Sequence, residues 1–290
     1  MHDSFELSIV IVTWNSESEI AECLKSITEN TKRLNYEIII VDNNSSDKTL
    51  DAIQNIADNK FQTIKVIINK ENTGFTKACN QGILSSNGKN ILLLNPDTKI
   101  ANDSLKVLWD KLVATDKTGA VAPQLLNDDG SIQKSCRTFP TYFDMFCELT
   151  LLSYIFPKSK IFSRWKMNYF DHNKESTVDQ PMAAALMIKG KVLKEINNFD
   201  ERYLMFFNDV DLCKKIYDRG HEIIFYPEAK VIHKKGVSIY KDRKRMIRVW
   251  NEDCLSYFKK YYNNFILYNW LLVSLKLSGF FRILIYKLQK

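Results

Sequence analysis

Glycine and proline are scarce, with 9 and 6 in 290 residues. Collagen-like repeats and low-complexity chains live on those residues and are excluded. Cysteine is neither dense nor patterned. The six (Cys23, Cys79, Cys136, Cys147, Cys213, Cys254) are scattered with no CxxC pair, which argues against a zinc ribbon and a disulfide scaffold. The amino terminus lacks a basic region ahead of an apolar stretch and lacks a small-residue cleavage site. It does not read as a signal peptide, and a reducing cytosol is the expected compartment. No internal repeat is visible. A G-x-G-x-x-G turn is also missing. The residues after the first apolar run are Thr13-Trp14-Asn15-Ser16-Glu17-Ser18, which removes most support for a dinucleotide-binding dehydrogenase.

What is present is ordinary globular material, 45% apolar and 26% charged, over +7 net charge. The length suits one large or two small domains. The charge is uneven. Residues 230–290 hold fourteen Lys and Arg against Asp242, Glu252 and Asp253, giving +11 there and −4 over residues 1–229. A basic tail on a mildly acidic body points to an anionic surface, and by charge alone nucleic acid and anionic lipid both fit. Aromatics and Leu dominate the tail with no recognition motif beside them, so nucleic acid is not the expected partner.

Four short, continuous, β-branched runs open the chain: Leu7–Thr13, Tyr36–Asp42, Thr63–Asn69 and Asn90–Asn95. Continuous runs of this length fit strands buried on both faces. Helical patterns lie between them at Glu17–Asn30, Asp47–Asp58 and Gly74–Ser86. The first has Ile20, Leu24 and Ile27 on one face, and Ser45, Ser46 and Asp47 can cap the second. This order predicts a parallel α/β sheet. Further on, the sequence predicts a strand over Gly119–Leu126, a turn at Asn127–Gly130, a helix over Phe143–Phe156 and a strand over Val178–Lys189. A helix over Asp209–Arg219, closed by Gly220, and a strand over His221–Tyr226 follow. Asp242–Tyr262 reads as a basic, aromatic helix. Phe265–Leu288 is long enough to span a bilayer. Lys276, Arg282, Asn269, Ser274, Ser278 and Gly279 argue against spanning. Amphipathic helices in the membrane interface fit better, and helices that merely cover the core are the plainer alternative.

Ligands of open α/β sheets bind beyond the carboxyl ends of the strands. Four strand ends here are polar: Thr13-Trp14-Asn15, Asp42-Asn43-Asn44, Asn72-Thr73-Gly74-Phe75 with Asn80, and Asn95-Pro96-Asp97. Turn chemistry explains one such end more readily than four. Asp42 suits hydrogen bonds from a base or ribose. Asp97, after a buried strand and a Pro, suits a divalent ion bridging phosphates. Asp209 and Asp211 follow an aromatic run and start a helix. They read equally well as a tuned general base and as complements to the helix dipole. His233 can be a metal ligand or a phosphate contact, though a lone His is more often structural.

The segments IVIVTWN, IIIVDNNSSD, NTGFTKACNQG, ILLLNPD, NNFDERYLMFFNDVDLCKK and VIHKKGVS occur in the order found in family 2 glycosyltransferases. The chain resembles that family over residues 7–262, and within it the rhamnosyltransferase-like branch of bacterial surface-polysaccharide synthesis. The resemblance implies a GT-A fold: a Rossmann-like, mostly parallel central sheet flanked by helices, with C-terminal amphipathic helices added here. The domain would occupy residues 1–240, with a nucleotide-sugar-binding half at 1–118 and an acceptor and catalytic half at 119–240. Residues 241–290 would form the basic, apolar attachment to a membrane surface.

By the same resemblance Thr13, Asn15 and Asp42 bind the donor nucleoside, and Asn44, Gly74, Phe75 and Asn80 shape its pocket. Asn95 and Asp97 belong to the metal-binding acidic motif, so Mg²⁺ or Mn²⁺ is the implied cofactor. Asp209 is the implied catalytic base and His233 lies near the diphosphate and metal. Asp179, Asn208 and Asp211 lie on the acceptor side. The chain departs from the family where Asn208 replaces an acid, Ala183-Ala184 replaces Gly-Ala and Asn197-Asn198 replaces Gly-Gly. The implied reaction is inverting transfer from a nucleotide-diphosphate sugar, dTDP-L-rhamnose first, to a lipid-linked saccharide at the cytoplasmic face of the cell membrane. UDP-hexose or UDP-N-acetylhexosamine donors, and a catalytically impaired binder of nucleotide sugars, are the alternatives.

Overall fold

The four apolar runs become parallel strands in a computed structural model that describes residues 5–60, 64–234 and 243–288. They are β1 (Leu7–Thr13), β2 (Tyr36–Asp42), β3 (Ile64–Ile68) and β4 (Asn90–Leu94), ordered β3-β2-β1-β4. The helices α1 (Glu17–Asn30), α2 (Thr49–Lys60) and α3 (Phe75–Leu84) connect them. β1 and β4 are buried throughout, whereas β3 forms the edge and exposes Val66 and Ile68. Thr63, the expected start of β3, lies outside the described residues.

The same sheet continues through the second half in the order β4-β11-β6-β12-β5. These strands are β5 (Thr98–Ile100), β6 (Thr118–Leu126), β11 (Ala185–Lys189) and β12 (Glu222–His233). β11 runs antiparallel to both β4 and β6, and β5 runs antiparallel to β12. Parallel pairing therefore governs the first half and mixed pairing the second. One core packs α1, α2 and α4 (Ser104–Val113) on one face of the sheet. A second packs α3, α7 (Gly190–Glu195) and α8 (Asn208–Asp218) on the other.

Three expected elements take a different form. The strand expected over Val178–Lys189 divides. Gln180–Pro181 (β10) pairs with Cys136–Arg137 (β8) in a separate ribbon before β11 begins. Pro181 has no N–H for a central ladder. The short strands β7 (Ile132–Gln133) and β9 (Ser176–Thr177) sit at the margins of the main sheet. The helix expected over Phe143–Phe156 breaks into α5 (Tyr142–Leu149) and α6 (Leu152–Ile155). Thr150 Oγ1 donates back to the Phe146 carbonyl, and Leu151 adopts a left-handed φ of 63°. Back-bonding of this kind competes with the helical ladder. β12 continues well past Tyr226, because a bulge between Tyr226 and Lys230 absorbs Pro227 and pairing resumes to His233.

The basic stretch forms α9 (Arg243–Tyr261) and the apolar one forms α10 (Phe265–Leu288). Asp242 and the expected boundary at 240/241 lie outside the described residues. α10 is a single helix rather than several. It buries Leu271 and Leu275 in an aromatic cluster with α5, α9, Tyr203 and Phe207. By length and composition Phe265–Tyr286 could cross a membrane. Its outward side is apolar too, so the amphipathic pattern expected of it belongs to α9 and not to α10.

At the opposite end of the sheet from the polar loops, Glu37 accepts from Ser8 Oγ (2.6 Å) and the Asn87 N–H (2.5 Å), and Gly88 N–H donates to Ser8 Oγ (2.8 Å). A Cβ on Gly88 would stand 2.5 Å from the Ser8 backbone nitrogen and 2.7 Å from the Leu7 carbonyl carbon. Backbone cannot yield as a side chain can. Gly88→Ala should lower stability by about 1–3 kcal/mol in urea unfolding, and an unchanged midpoint would refute this packing.

Candidate active site

The loops after β1 and β2 are bound to each other before any ligand arrives. Thr13 Oγ1 donates to Asp42 Oδ1 (2.9 Å), and Ser45 donates to Asp42 through both its N–H (2.9 Å) and its hydroxyl (2.6 Å). Asn15 N–H donates to Ser45 Oγ, and Asn15 Oδ1 accepts from the Ser46 N–H, each at 2.8 Å. Asn15 and Asn44 hold left-handed φ values of 51° and 65°, which Asn tolerates better than most residues.

Thr13 and Asp42 are fully buried. Asp42, expected to bind the donor nucleoside, accepts three hydrogen bonds from Thr13 and Ser45 and so fixes the loops that wall this edge of the sheet. Asn43, which the sequence reading left without a role, does the same for the next loop. Its Oδ1 accepts from the Thr73 N–H (3.0 Å), and its Nδ2 donates to Asn72 Oδ1 (3.0 Å) and the Gly74 carbonyl (3.2 Å).

Gly74 sits at φ 90°, where L side chains are strained, and starts α3. Phe75 N–H donates to the Leu204 carbonyl (3.2 Å), tying this loop to the second half. Asn80, expected to shape the donor pocket, stands where the two halves meet. It is buried, donates to the Phe199 carbonyl (3.1 Å) and Glu201 Oε1 (3.0 Å), and accepts from the Phe199 N–H (3.0 Å). It anchors the halves to each other.

Asp209 lies in the first turn of α8. Its Oδ2 accepts from Gln180 Nε2 (2.9 Å) and its Oδ1 from the Val210 N–H (2.8 Å). Burial raises its pKa above the ordinary carboxylate value, opposed by the N–H groups of Val210 and Ala183 and by the Arg137 charge. Ala183 thus contacts Asp209, while its neighbour Ala184 accepts from the Asn95 N–H (2.9 Å). Two consecutive residues span the gap between Asp209 and the Asn95-Pro96-Asp97 turn, so the polar ends of β4 and α8 share one edge. Gln180 and Arg137 carried no signal in the sequence, because only the β8–β10 ribbon brings them to Asp209.

Asn208 is buried, donates to Thr76 Oγ1 (3.2 Å) and accepts from the Asp209 N–H (2.6 Å). Asp179 accepts from the Phe139 N–H (3.0 Å), at the entry to the β10 segment. Asp211 does not belong to the acceptor side. It is fully buried and accepts from Lys260 Nζ (2.5 Å) and the Tyr261 hydroxyl (2.8 Å), which fastens α8 to α9.

Asp97 and His233 meet at the ends of β4 and β12. Gln133 Nε2 donates to Asn127 Oδ1 (2.9 Å) and the His233 carbonyl (3.2 Å), which turns Gln133 Oε1 toward His233 Nδ1 at 2.7 Å. Nδ1 therefore carries a proton. Nε2 faces Asp97 Oδ1 at 3.4 Å, and that oxygen is buried without a hydrogen bond. With the ring protonated on Nδ1 alone, the Nε2 lone pair and this carboxylate oxygen form a donor pair that a divalent cation would satisfy. Among the described residues no cluster of three or more His, Cys, Asp or Glu surrounds one point, so the chain itself offers two donors.

A mixed sheet with polar loops at one edge, a partly buried carboxylate at a helix start and an Asp–His pair at the neighbouring strand end is the arrangement of a GT-A glycosyltransferase. Residues 8–170 match the family described as Glycosyl transferase family 2, and the chain belongs to that family. It is 24% identical over 247 residues to an N-acetylglucosaminyl-diphospho-decaprenol L-rhamnosyltransferase of Mycobacterium tuberculosis, covering 81% of this chain and 78% of that one. It is 28% identical over 207 residues to a poly(ribitol-phosphate) beta-glucosyltransferase of Bacillus spizizenii, covering 69% of this chain and 32% of that one. The fold matches GalNAc-T7, solved with UDP, GalNAc and Mn²⁺, at a TM-score of 0.60 and 16% identity, over 89% of this chain and 50% of that one. It matches Staphylococcus aureus TarS residues 1–349 at 0.55 and 15% identity, over 93% and 70% of the two chains. This chain therefore spans half the length of GalNAc-T7 and under a third of the Bacillus relative.

The raised pKa of Asp209 fixes the sign of a stability effect. A carboxylate whose folded pKa exceeds its unfolded value favours folding while protonated, and that stability is lost as pH rises through the folded pKa. Relative to Asp209→Asn, the wild-type protein should gain melting temperature as pH falls from neutral toward 4, the ordinary range of Asp. Parallel melting curves at all pH values would contradict the burial argument.

Proposed function

We propose that this protein is an inverting sugar transferase that moves L-rhamnose from dTDP-L-rhamnose to a hydroxyl of a lipid-linked saccharide, in the assembly of O-antigen, capsule or cell-wall polysaccharide. The observation that carries the reaction type is the placement of Asp209: partly buried, basic for a carboxylate, and joined through Ala183-Ala184 to the turn that holds Asp97. The rhamnosyl donor and the lipid-linked acceptor rest on similarity to the mycobacterial enzyme. The Bacillus glucosyltransferase supports a second reading in which the donor is a UDP-hexose.

Gln180 and the Val210 N–H hold the Asp209 carboxylate in one orientation. In the proposed step the acceptor hydroxyl gives its proton to Asp209, and its oxygen bonds to the anomeric carbon. The bond from that carbon to the diphosphate oxygen breaks, and the diphosphate leaves with the electron pair. A single displacement inverts the anomeric configuration. Asp97 Oδ1 and His233 Nε2 would hold Mg²⁺ or Mn²⁺, which supplies neutralisation of the charge on the leaving diphosphate. The buried bonds of Asp42 and Asn43 keep the two donor loops open to the nucleoside, whose contacts fall to exposed groups such as Asn44. Asn208 in place of an acid is compatible with turnover, because its side chain supports the Asp209 N–H and needs no charge to do so. The protein would work on the cytoplasmic face of the cell membrane, held there by residues 241–290.

Calorimetry with dTDP, UDP and GDP, each with and without Mn²⁺, tests the donor. Metal-dependent dTDP binding is expected, and it should be lost in His233→Ala. A UDP preference would remove rhamnose from the proposal, and no nucleotide binding would remove the transferase. Asp209→Asn should bind dTDP normally while kcat falls about 10²–10⁴-fold. Near-wild-type turnover of that variant would assign the base elsewhere.

A further inference from the structure

The outward side of α10 is a stripe of large apolar residues at helical spacing: Ile266, Val273, Leu277, Phe280 and Leu284. Ile266 is 78% exposed and Phe280 63%. A surface helix normally turns charge outward, so this stripe asks for a partner. It does not stand alone. Trp270 of α10 lies 6.2 Å from the Phe146 ring of α5, which joins the stripe to the α5–α6 turn. There the left-handed Leu151 breaks the helix, and Tyr154, Ile155 and Phe156 stand exposed, Tyr154 at 79%.

The charge around this composite face selects its occupant. Residues 149–170 contain four basic residues and residues 254–290 contain six, and neither stretch contains an Asp or Glu. Arg164 and Lys166 pair with Asp144 and Glu148 of α5, and Lys260 pairs with Asp200 and Asp211, whereas Lys158, Lys160 and Lys276 form no ion pair among the described residues. Lys158 and Lys160 are exposed beside the α6 aromatics. A second copy of the chain would bring like charge against like charge. Exposed apolar and aromatic side chains beside unpaired lysines suit the headgroup and acyl boundary of an anionic bilayer.

We infer that the protein docks on anionic membranes through one composite face, in which the Leu151–Ile161 segment of the α5–α6 turn inserts together with the outer stripe of α10. This deepens the membrane attachment proposed above, which placed it in residues 241–290 alone. It also orients the molecule, since the α5–α6 segment is followed closely by Arg164 and Trp165, whose carbonyls accept from Thr138, a few residues from the contact between Phe139 and Asp179.

The test is flotation of the full chain with vesicles of phosphatidylcholine containing phosphatidylglycerol, and with phosphatidylcholine alone. Wild type should float with the anionic vesicles and much less with the neutral ones. The triple change Tyr154→Ser, Ile155→Ser, Phe156→Ser should weaken anionic partitioning about tenfold or more. Leu84→Ser removes an equally exposed side chain from α3, outside this face, and should leave flotation unchanged. The same samples are melted to show that they are folded, and titrated with dTDP.

Full flotation of the triple variant, with loss on Ile266→Ser, Val273→Ser and Leu277→Ser, would confine docking to α10 and overturn the composite face. Equal flotation with neutral vesicles would overturn the charge argument. A dimer by light scattering that the triple variant disperses, without flotation, would make the face a self-interface. Flotation as expected without dTDP binding would keep the docking face and fail the transferase reading alone.

Discussion

A single buried carboxylate organises the meeting point of the molecule. Asp253 of α9 accepts from three consecutive backbone N–H groups, those of Leu204 (3.1 Å), Met205 (3.1 Å) and Phe206 (2.8 Å). Burial, and to a lesser extent the neighbouring Glu252 charge, raises its pKa, and these three bonds oppose the rise. Leu204 offers its N–H to α9 and its carbonyl to Phe75 of the donor loop, so one peptide joins the C-terminal helices to the nucleotide side. Three residues after Phe206 comes Asp209. The loop must hold Phe207 at a left-handed φ of 54°, a conformation that costs on the order of 1 kcal/mol or more for a bulky residue. The Asp253 bonds and the packing of Phe207 against Trp250 and Tyr257 offset that cost. α9 is thus part of the catalytic body and not an appendage.

The donor loops follow the same logic by other means. Dinucleotide folds use glycines to bring backbone against phosphate. Here Asp42 and Asn43 turn inward and hold the neighbouring loops by their backbone and hydroxyl groups. Such side chains are rarely left unpaired when buried, because an unmet carboxylate or amide away from water is expensive. Fully satisfied, they fix the loop geometry in advance. The contrast with Asp97 is informative: its Oδ1 is buried and has no hydrogen bond, although His233 stands beside it.

This contrast also separates what could be read in the sequence from what could not. Strands β1, β2 and β4 and helix α1 were legible because local patterns decide them: continuous apolar runs and an i, i+4, i+7 face. α4 has a comparable local signal in Leu105, Leu108 and Leu112, which share one buried face. The antiparallel entry of β11 was not legible, since no local signal tells which neighbour a strand will choose. The site divided in the same way. Residue types at strand ends marked Thr13, Asp42, Asp97 and Asp209 as important. Whether each faces a ligand or a neighbour depends on contacts 29 or more residues away, as with Thr13 and Asp42 or Asp209 and Gln180. Asp211 shows the limit most sharply, for it sits two residues from Asp209 on one helix and points to Lys260 instead.

Helix geometry accounts for that last difference and for the architecture it produces. Residues two apart on a helix lie about 200° apart around its axis, so Asp209 and Asp211 face opposite surroundings. Asp209 meets the β8–β10 ribbon and its Gln180. Asp211 meets α9, where Lys260 also binds Asp200 (2.9 Å). One short helix is therefore clamped between the sheet edge that holds the reacting groups and the helix pair that carries the apolar face. The aromatic contacts of Tyr142 with Phe258 and of Phe146 with Trp270 extend that clamp to α5. An amphiphilic acceptor must present its sugar to a polar edge while its lipid stays in an apolar phase. On the proposed function, the helix that bears Asp209 and the apolar surface need a common support, and α9 packs against both.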